Sequence, residues 1–150
     1  MDDEAIRVSV GLRLGAKLCE KHTCQCGSPV EINGRHSLAC KKSSGRISRH
    51  HLLNDILWRA FNSAGTPSIK EPSGLCRSDG KRPDGLTQIP WESGKCLAWD
   101  VTVTDTLAAS NVSLSAITAG GAPEEAAERK CQKYSELSAT YDFAPVALKL

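Results

Sequence analysis

The hydrophobic positions change period along the chain, and each change predicts an element. Between Lys95 and Thr104 apolar and polar residues alternate at the spacing of a strand. Leu97, Trp99, Val101 and Val103 fall on one face, and Ala98, Asp100, Thr102 and Thr104 on the other. Two further strand-like runs precede it, 68–75 and 82–89, with Pro72 demoting the first to an edge or bulged strand. Upstream, Leu52, Leu53, Ile56, Leu57, Ala60, Phe61 and Ala64 recur at helical spacing. They predict an amphipathic helix over 49–64, capped by Ser48 and ended by Gly65 and Pro67, with Trp58 off the stripe. Residues 106–123, rich in Ala, Ser, Thr and Gly, read as a loop. Pro123 and two acids then open a second helix over 124–140, with an inward stripe of Ala127, Cys131, Tyr134, Leu137 and Tyr141. Residues 143–148 predict a last strand. The order is helix, three strands, helix, strand, an α/β domain.

Composition sets the scale. With 150 residues, 40% of them hydrophobic, the chain can bury one core, expected over 46–150, with a small N-terminal segment over 1–45. No apolar run approaches a membrane span, and the acidic start MDDEAIRV is no signal peptide, so a soluble intracellular protein is expected. The formal charge of +2 decides little, but its distribution is uneven. From Ile32 to Asn54 there is no acid, while Arg35, Lys41, Lys42, Arg46 and Arg49 fall there with His36, His50 and His51. Such a patch suits phosphate contact, or is simply a solvated surface.

Seven cysteines are present, four of them between Cys19 and Cys40. Clustered cysteines in a chain without a secretion signal read as metal ligands rather than disulfides. Cys24, Cys26, His36 and Cys40 form a soft set that suits tetrahedral Zn²⁺ in a closed, structural site, with Cys19 and His22 as alternative ligands. Cys76, Cys96 and Cys131 read as ordinary core packing.

Two carboxylates on adjacent strands, Asp84 in PDG and Asp100, would make a Mg²⁺ site, and such a site on a small sheet suggests a nuclease. Each acid alone also reads as a turn residue or a solvated strand residue. Lys130 falls inside the apolar stripe of the second helix and Lys133 near its margin. A lysine on a buried face either finds an acid or snorkels past its stem to water.

Taken in order, these features resemble the C-terminal endonuclease segment of site-specific non-LTR retrotransposon reverse transcriptase polyproteins, a PD-(D/E)XK restriction-like fold with a CCHC zinc knuckle. The resemblance rests on Cys24, Cys26, His36 and Cys40; Arg49 and His50; Arg82, Pro83 and Asp84; Asp100 to Val103; and Lys130, Lys133 and Tyr134. It covers nearly the whole chain after Gly11.

The resemblance implies a nick in DNA at an insertion target, leaving a 3′ hydroxyl for a reverse transcriptase. Asp84 and Asp100 would hold Mg²⁺. Lys130, ahead of Lys133, would orient the attacking water or neutralise developing phosphorane charge. Glu71 would add a further acid, and Lys41, Lys42, Arg46, Arg49, His50 and Arg82 would meet the nucleic acid. The implied partners are DNA, the element RNA and a reverse transcriptase domain outside this chain, in the nucleus and without a membrane.

Three features depart from the pattern. Thr102 stands where many such nucleases have a lysine, fifteen residues separate Asp84 from Asp100, and no polymerase domain is present, as in a fragment, a degenerate copy or a host-adopted remnant. The competing expectations are an inactive, zinc-stabilised nucleic-acid-binding module and a structural interaction domain that retains the knuckle.

Overall fold

In a computed structural model, which describes residues 2–106, 108 and 110–149, the chain forms two units, Met1–Ser48 and Arg49–Leu150. The first opens with helix α1 (Asp3–Leu14), which the hydrophobic pattern did not predict. Its start is fixed by Asp2, whose carboxylate accepts the Ala5 N–H at 2.7 Å, and its end by Gly15 in the left-handed region at φ 66°. A short hairpin follows, β1 (His22–Thr23) against β2 (Pro29–Val30), and then one helical turn, α2 (His36–Ala39).

Helix α3 (Ser44–Ser63) starts before the expected Ser48 cap, and most of its length belongs to the second unit. Ser48 is inside the helix, its hydroxyl donating to the Ser44 carbonyl at 3.1 Å. Then come β3 (Ser68–Lys70), β4 (Gly85–Thr87), β5 (Leu97–Thr104), α4 (Val112–Ile117), α5 (Gly121–Lys133) and β6 (Asp142–Lys149). The sheet order is β3-β4-β5-β6, antiparallel except for the parallel β5–β6 pair. The fold is mixed α/β.

Strand β5 is the centre of the sheet. Leu97 through Val101 are all buried, so both of its faces are covered. Trp99 faces α3, where the Phe61 ring stacks on it at 4.9 Å between centroids. Asp100, one residue on and therefore on the opposite face, meets α5. Pro145 pairs with Asp100 from β6, an edge strand on which a missing N–H is tolerated.

Several expectations change. The strand expected over 68–75 stops at Lys70 and continues as a single 3₁₀ turn, Ser73–Leu75. That expected over 82–89 shortens to Gly85–Thr87. Within the expected loop 106–123 a helix forms, α4, while Leu107 and Ala109 lie outside the described residues. The second helix ends at Lys133 and passes into a 3₁₀ turn, Ser135–Ala139, so Leu137 and Tyr141 do not continue its stripe.

Helix faces are rotated from the apolar pattern as well. On α3, Leu52 and Ile56 are exposed while Asn54 is buried. Trp58 is half-buried and donates its indole N–H to the Ser68 carbonyl at 2.8 Å. On α5 the small residues Gly121, Ala122 and Ala126 make the inner face, and Cys131 is exposed. Cys76 is exposed too, so neither thiol packs in the core as expected.

Candidate active site and metal centre

The turn between β1 and β2 carries Cys24 and Cys26. Its geometry follows from Gly27, which takes φ 88° and donates its N–H to the Cys24 carbonyl at 2.8 Å. Helix α2 begins with His36 and is capped by Cys40. One potential ligand atom from each of Cys24, Cys26, His36 and Cys40 lies within 4.8 Å of the others. Cys24 Sγ and Cys40 Sγ are 3.7 Å apart. A tetrahedron with Zn–S bonds of about 2.3 Å has edges of about 3.8 Å, so the spacing fits zinc. The Ser28 hydroxyl, followed by its backbone N–H, pushes the Cys26 thiol down to about 6, which favours the thiolate a metal needs. This group could bind a metal such as zinc. The alternative ligands lie elsewhere: Cys19 Sγ donates to the Glu31 carbonyl at 3.3 Å, and His22 Nδ1 is 2.8 Å from the Glu20 carbonyl.

In the second unit Asp84 precedes β4 and is held on several sides. Its N–H donates to the Trp99 carbonyl at 2.9 Å. Its Oδ2 accepts the Val101 N–H at 2.6 Å and faces His50 Nε2 at 3.0 Å. The first acid is thus bonded to the residue that follows the second. Asp100, with only 4% of its side chain exposed, meets Lys130 Nζ at 2.6 Å from Oδ1. Of the sequence-predicted trio, Lys130 pairs directly with Asp100, while Asp84 is tied to the same strand through the Val101 N–H.

The local electrostatics follow from this packing. Burial pushes the Asp84 carboxyl up, but the His50 and Val101 hydrogen bonds and the nearby positive charges outweigh it and hold the group below its ordinary value. The hydrogen bond to Asp84 raises His50 against its own burial. Partial burial lowers the Lys133 ammonium, and the neighbouring Lys130 adds to that effect. Lys133 Nζ donates to the Tyr134 hydroxyl at 2.8 Å rather than to an acid. The buried Tyr134 hydroxyl in turn donates to the Arg82 carbonyl at 2.8 Å, gripping the turn that presents Asp84.

Other expected residues sit differently. Glu71 takes a left-handed backbone, φ 49°, and its carboxylate pairs with the Arg82 guanidinium instead of facing the acids. Its N–H donates to the Asp84 carbonyl at 2.9 Å, so its backbone, not its side chain, serves the site. Lys41, Lys42 and Arg46 are exposed in the first unit, with Lys42 Nζ donating to the Gln25 carbonyl at 2.9 Å. Arg49 and His50 are half-buried on α3. Asn54 is the site residue that the hydrophobic pattern missed: Nδ2 donates to the Asp84 carbonyl at 3.0 Å, and Oδ1 accepts the Trp99 indole N–H at 2.8 Å. It stands just beyond the Phe61 edge of the predicted apolar stripe, where the pattern carries no signal for it.

Compared with protein families, curated proteins and solved structures, the chain matches none. Among the described residues no helix is long and apolar enough to cross a membrane.

Proposed function

We propose that the chain is a Mg²⁺-dependent DNA endonuclease of the restriction-like type, stabilised by a zinc knuckle. The observation that supports this reading is that Lys130 Nζ lies 2.6 Å from Asp100 while the Asp84 carboxylate is bonded to Val101, the next residue on the same strand. Two carboxylates are hard oxygen donors of the kind Mg²⁺ takes while keeping most of its waters. Among the described residues the hydrogen bonds to the Asp84 carboxylate all go to Oδ2, which leaves Oδ1 for a ligand. When bound, the ion would polarise the scissile phosphate and make water a better nucleophile.

The chain's own residues supply the rest. Lys130, pinned by Asp100, sets a positive charge beside the acids, where it can offset charge developing on phosphate oxygens. Lys133, held by Tyr134 and not by a carboxylate, offers a second cation to the same anion. Lys41, Lys42 and Arg46 would follow the DNA backbone. In this reading the partner is target DNA in the nucleus, together with an element RNA and a reverse transcriptase domain.

A second reading, an inactive nucleic-acid-binding module, draws on the internal side-chain partner that each acid already has, His50 for Asp84 and Lys130 for Asp100. A plasmid-nicking assay with Mg²⁺ separates the two. The wild type is expected to nick, and Asp84→Ala and Lys130→Ala each to lose about a hundredfold or more of the rate. DNA binding without nicking by the wild type favours the module, and activity unchanged in both variants removes these assignments.

A further inference from the structure

Asn54 is a buried polar side chain with no part in the chemistry above. It stands inside α3, where Asn is a poorer helix former than the leucines around it, and is only 4% exposed. Its amide makes two directed bonds, Nδ2 to the Asp84 carbonyl at 3.0 Å and Oδ1 from the Trp99 indole N–H at 2.8 Å. One turn earlier on the helix, His50 Nε2 meets Asp84 Oδ2 at 3.0 Å. One face of α3 therefore holds both the carbonyl and the carboxylate of a single residue. The carbonyl has another donor in the Glu71 N–H at 2.9 Å, so the Asn54 bond adds direction rather than bare satisfaction.

We propose that Asn54 is a positioning residue for Asp84. Its amide, oriented by the Trp99 indole, fixes the peptide plane from which the Asp84 carboxylate is aimed, and so sets the affinity of the acid pair for a divalent cation. The inference rests on the endonuclease reading. Groups that orient a metal ligand from behind typically change metal affinity by about ten- to a hundredfold when removed.

The test uses the zinc-loaded full chain and Mn²⁺ as probe, with binding measured by calorimetry and the Val101 amide followed by NMR. In Asn54→Leu the Mn²⁺ dissociation constant is expected to rise about tenfold or more. The Val101 amide signal is expected to shift and exchange faster, with other β5 amides still protected. A merely structural residue would lower the unfolding midpoint and leave both readouts of the folded protein alone. Where Asn54→Leu does not fold, the same change is made in a Trp99→Phe background, which leaves no indole N–H without an acceptor, and is compared with Trp99→Phe. Mn²⁺ binding that needs Asp84, tested with Asp84→Asn, but ignores Asn54 overturns this inference alone. A wild type that binds no Mn²⁺, or binds it equally in Asp84→Asn, overturns the endonuclease reading and this inference with it.

Discussion

Lys130 and Asp100 form an unequal ion pair: the acid is almost wholly buried, while the lysine, 26% exposed, reaches it from the edge of α5 at 2.6 Å. Removing the lysine strands a charge that has little access to water. Breaking buried pairs costs about 3–5 kcal/mol, and the partial exposure of Lys130 brings the expected loss for Lys130→Met to about 2–3 kcal/mol. Urea unfolding measures it. The double variant Lys130→Met with Asp100→Leu should recover most of that stability, because two apolar groups need no partner. A single variant as stable as the wild type would mean the pair is not formed.

The His50–Asp84 contact makes stability depend on pH from both sides. The bond to Asp84 raises His50 above its ordinary 6.5, so folding favours the protonated ring. That contribution is whole below pH 6.5 and is lost as pH climbs through the raised value. Asp84 behaves inversely. Burial opposes its ionisation, but the His50 and Val101 hydrogen bonds win, and its value falls below 3.8. Its contribution is present above pH 3.8 and is lost as pH falls through the depressed value. Urea midpoints across the range should therefore decline at both ends, and His50→Ala should abolish the decline on the alkaline side.

Gly85 lies beneath the Trp99 ring, so close that a Cβ there would come within 1.9 Å of it. The indole is packed by Phe61 and bonded to Asn54, and it cannot retreat without breaking those contacts. Gly85→Ala is expected to cost about 3 kcal/mol or more and to disturb the neighbouring Asp84. Thermal unfolding gives the stability, and the Trp fluorescence maximum reports the displaced ring. A fully stable Gly85→Ala would contradict the register of β4 against β5.

The cysteine and histidine group should hold about one zinc per chain, measured by elemental analysis of the purified protein. Chelation, or Cys40→Ser, should release it and unfold the β1–β2 hairpin. Structural zinc in comparable sites contributes about 10–16 kcal/mol of binding free energy to the folded state. Zinc content near zero in the wild type would remove the centre.

The sequence exposed the parts of the site whose signal is local. Strand β5 shows in strict alternation, and the candidate metal ligands Cys24, Cys26, His36 and Cys40 show in chemistry and spacing. Lys130 stood out because an ammonium within an apolar stripe needs an acid. The buried face of α3 is rotated away from the Leu52 and Ile56 side of the apolar stripe toward Asn54, which accepts a distant indole N–H that no local periodicity reveals. The same holds for Glu71, whose side chain is claimed by Arg82 across the β3–β4 connection. Helix α1 is marked by Asp2, its acidic first turn and Gly15, signals of capping rather than of apolar period.

The two groups differ in how far along the chain their members stand. Cys24 and Cys40 are 16 positions apart, whereas His50 and Asp84 are separated by 34 and Asp100 and Lys130 by 30. Closing the shorter loop costs less chain entropy, and its members leave the ribosome first. The cysteine and histidine cluster can therefore close while the strand bearing Asp100 is still being synthesised, and the contact of Asp100 with Lys130 forms only after thirty further residues have followed that acid.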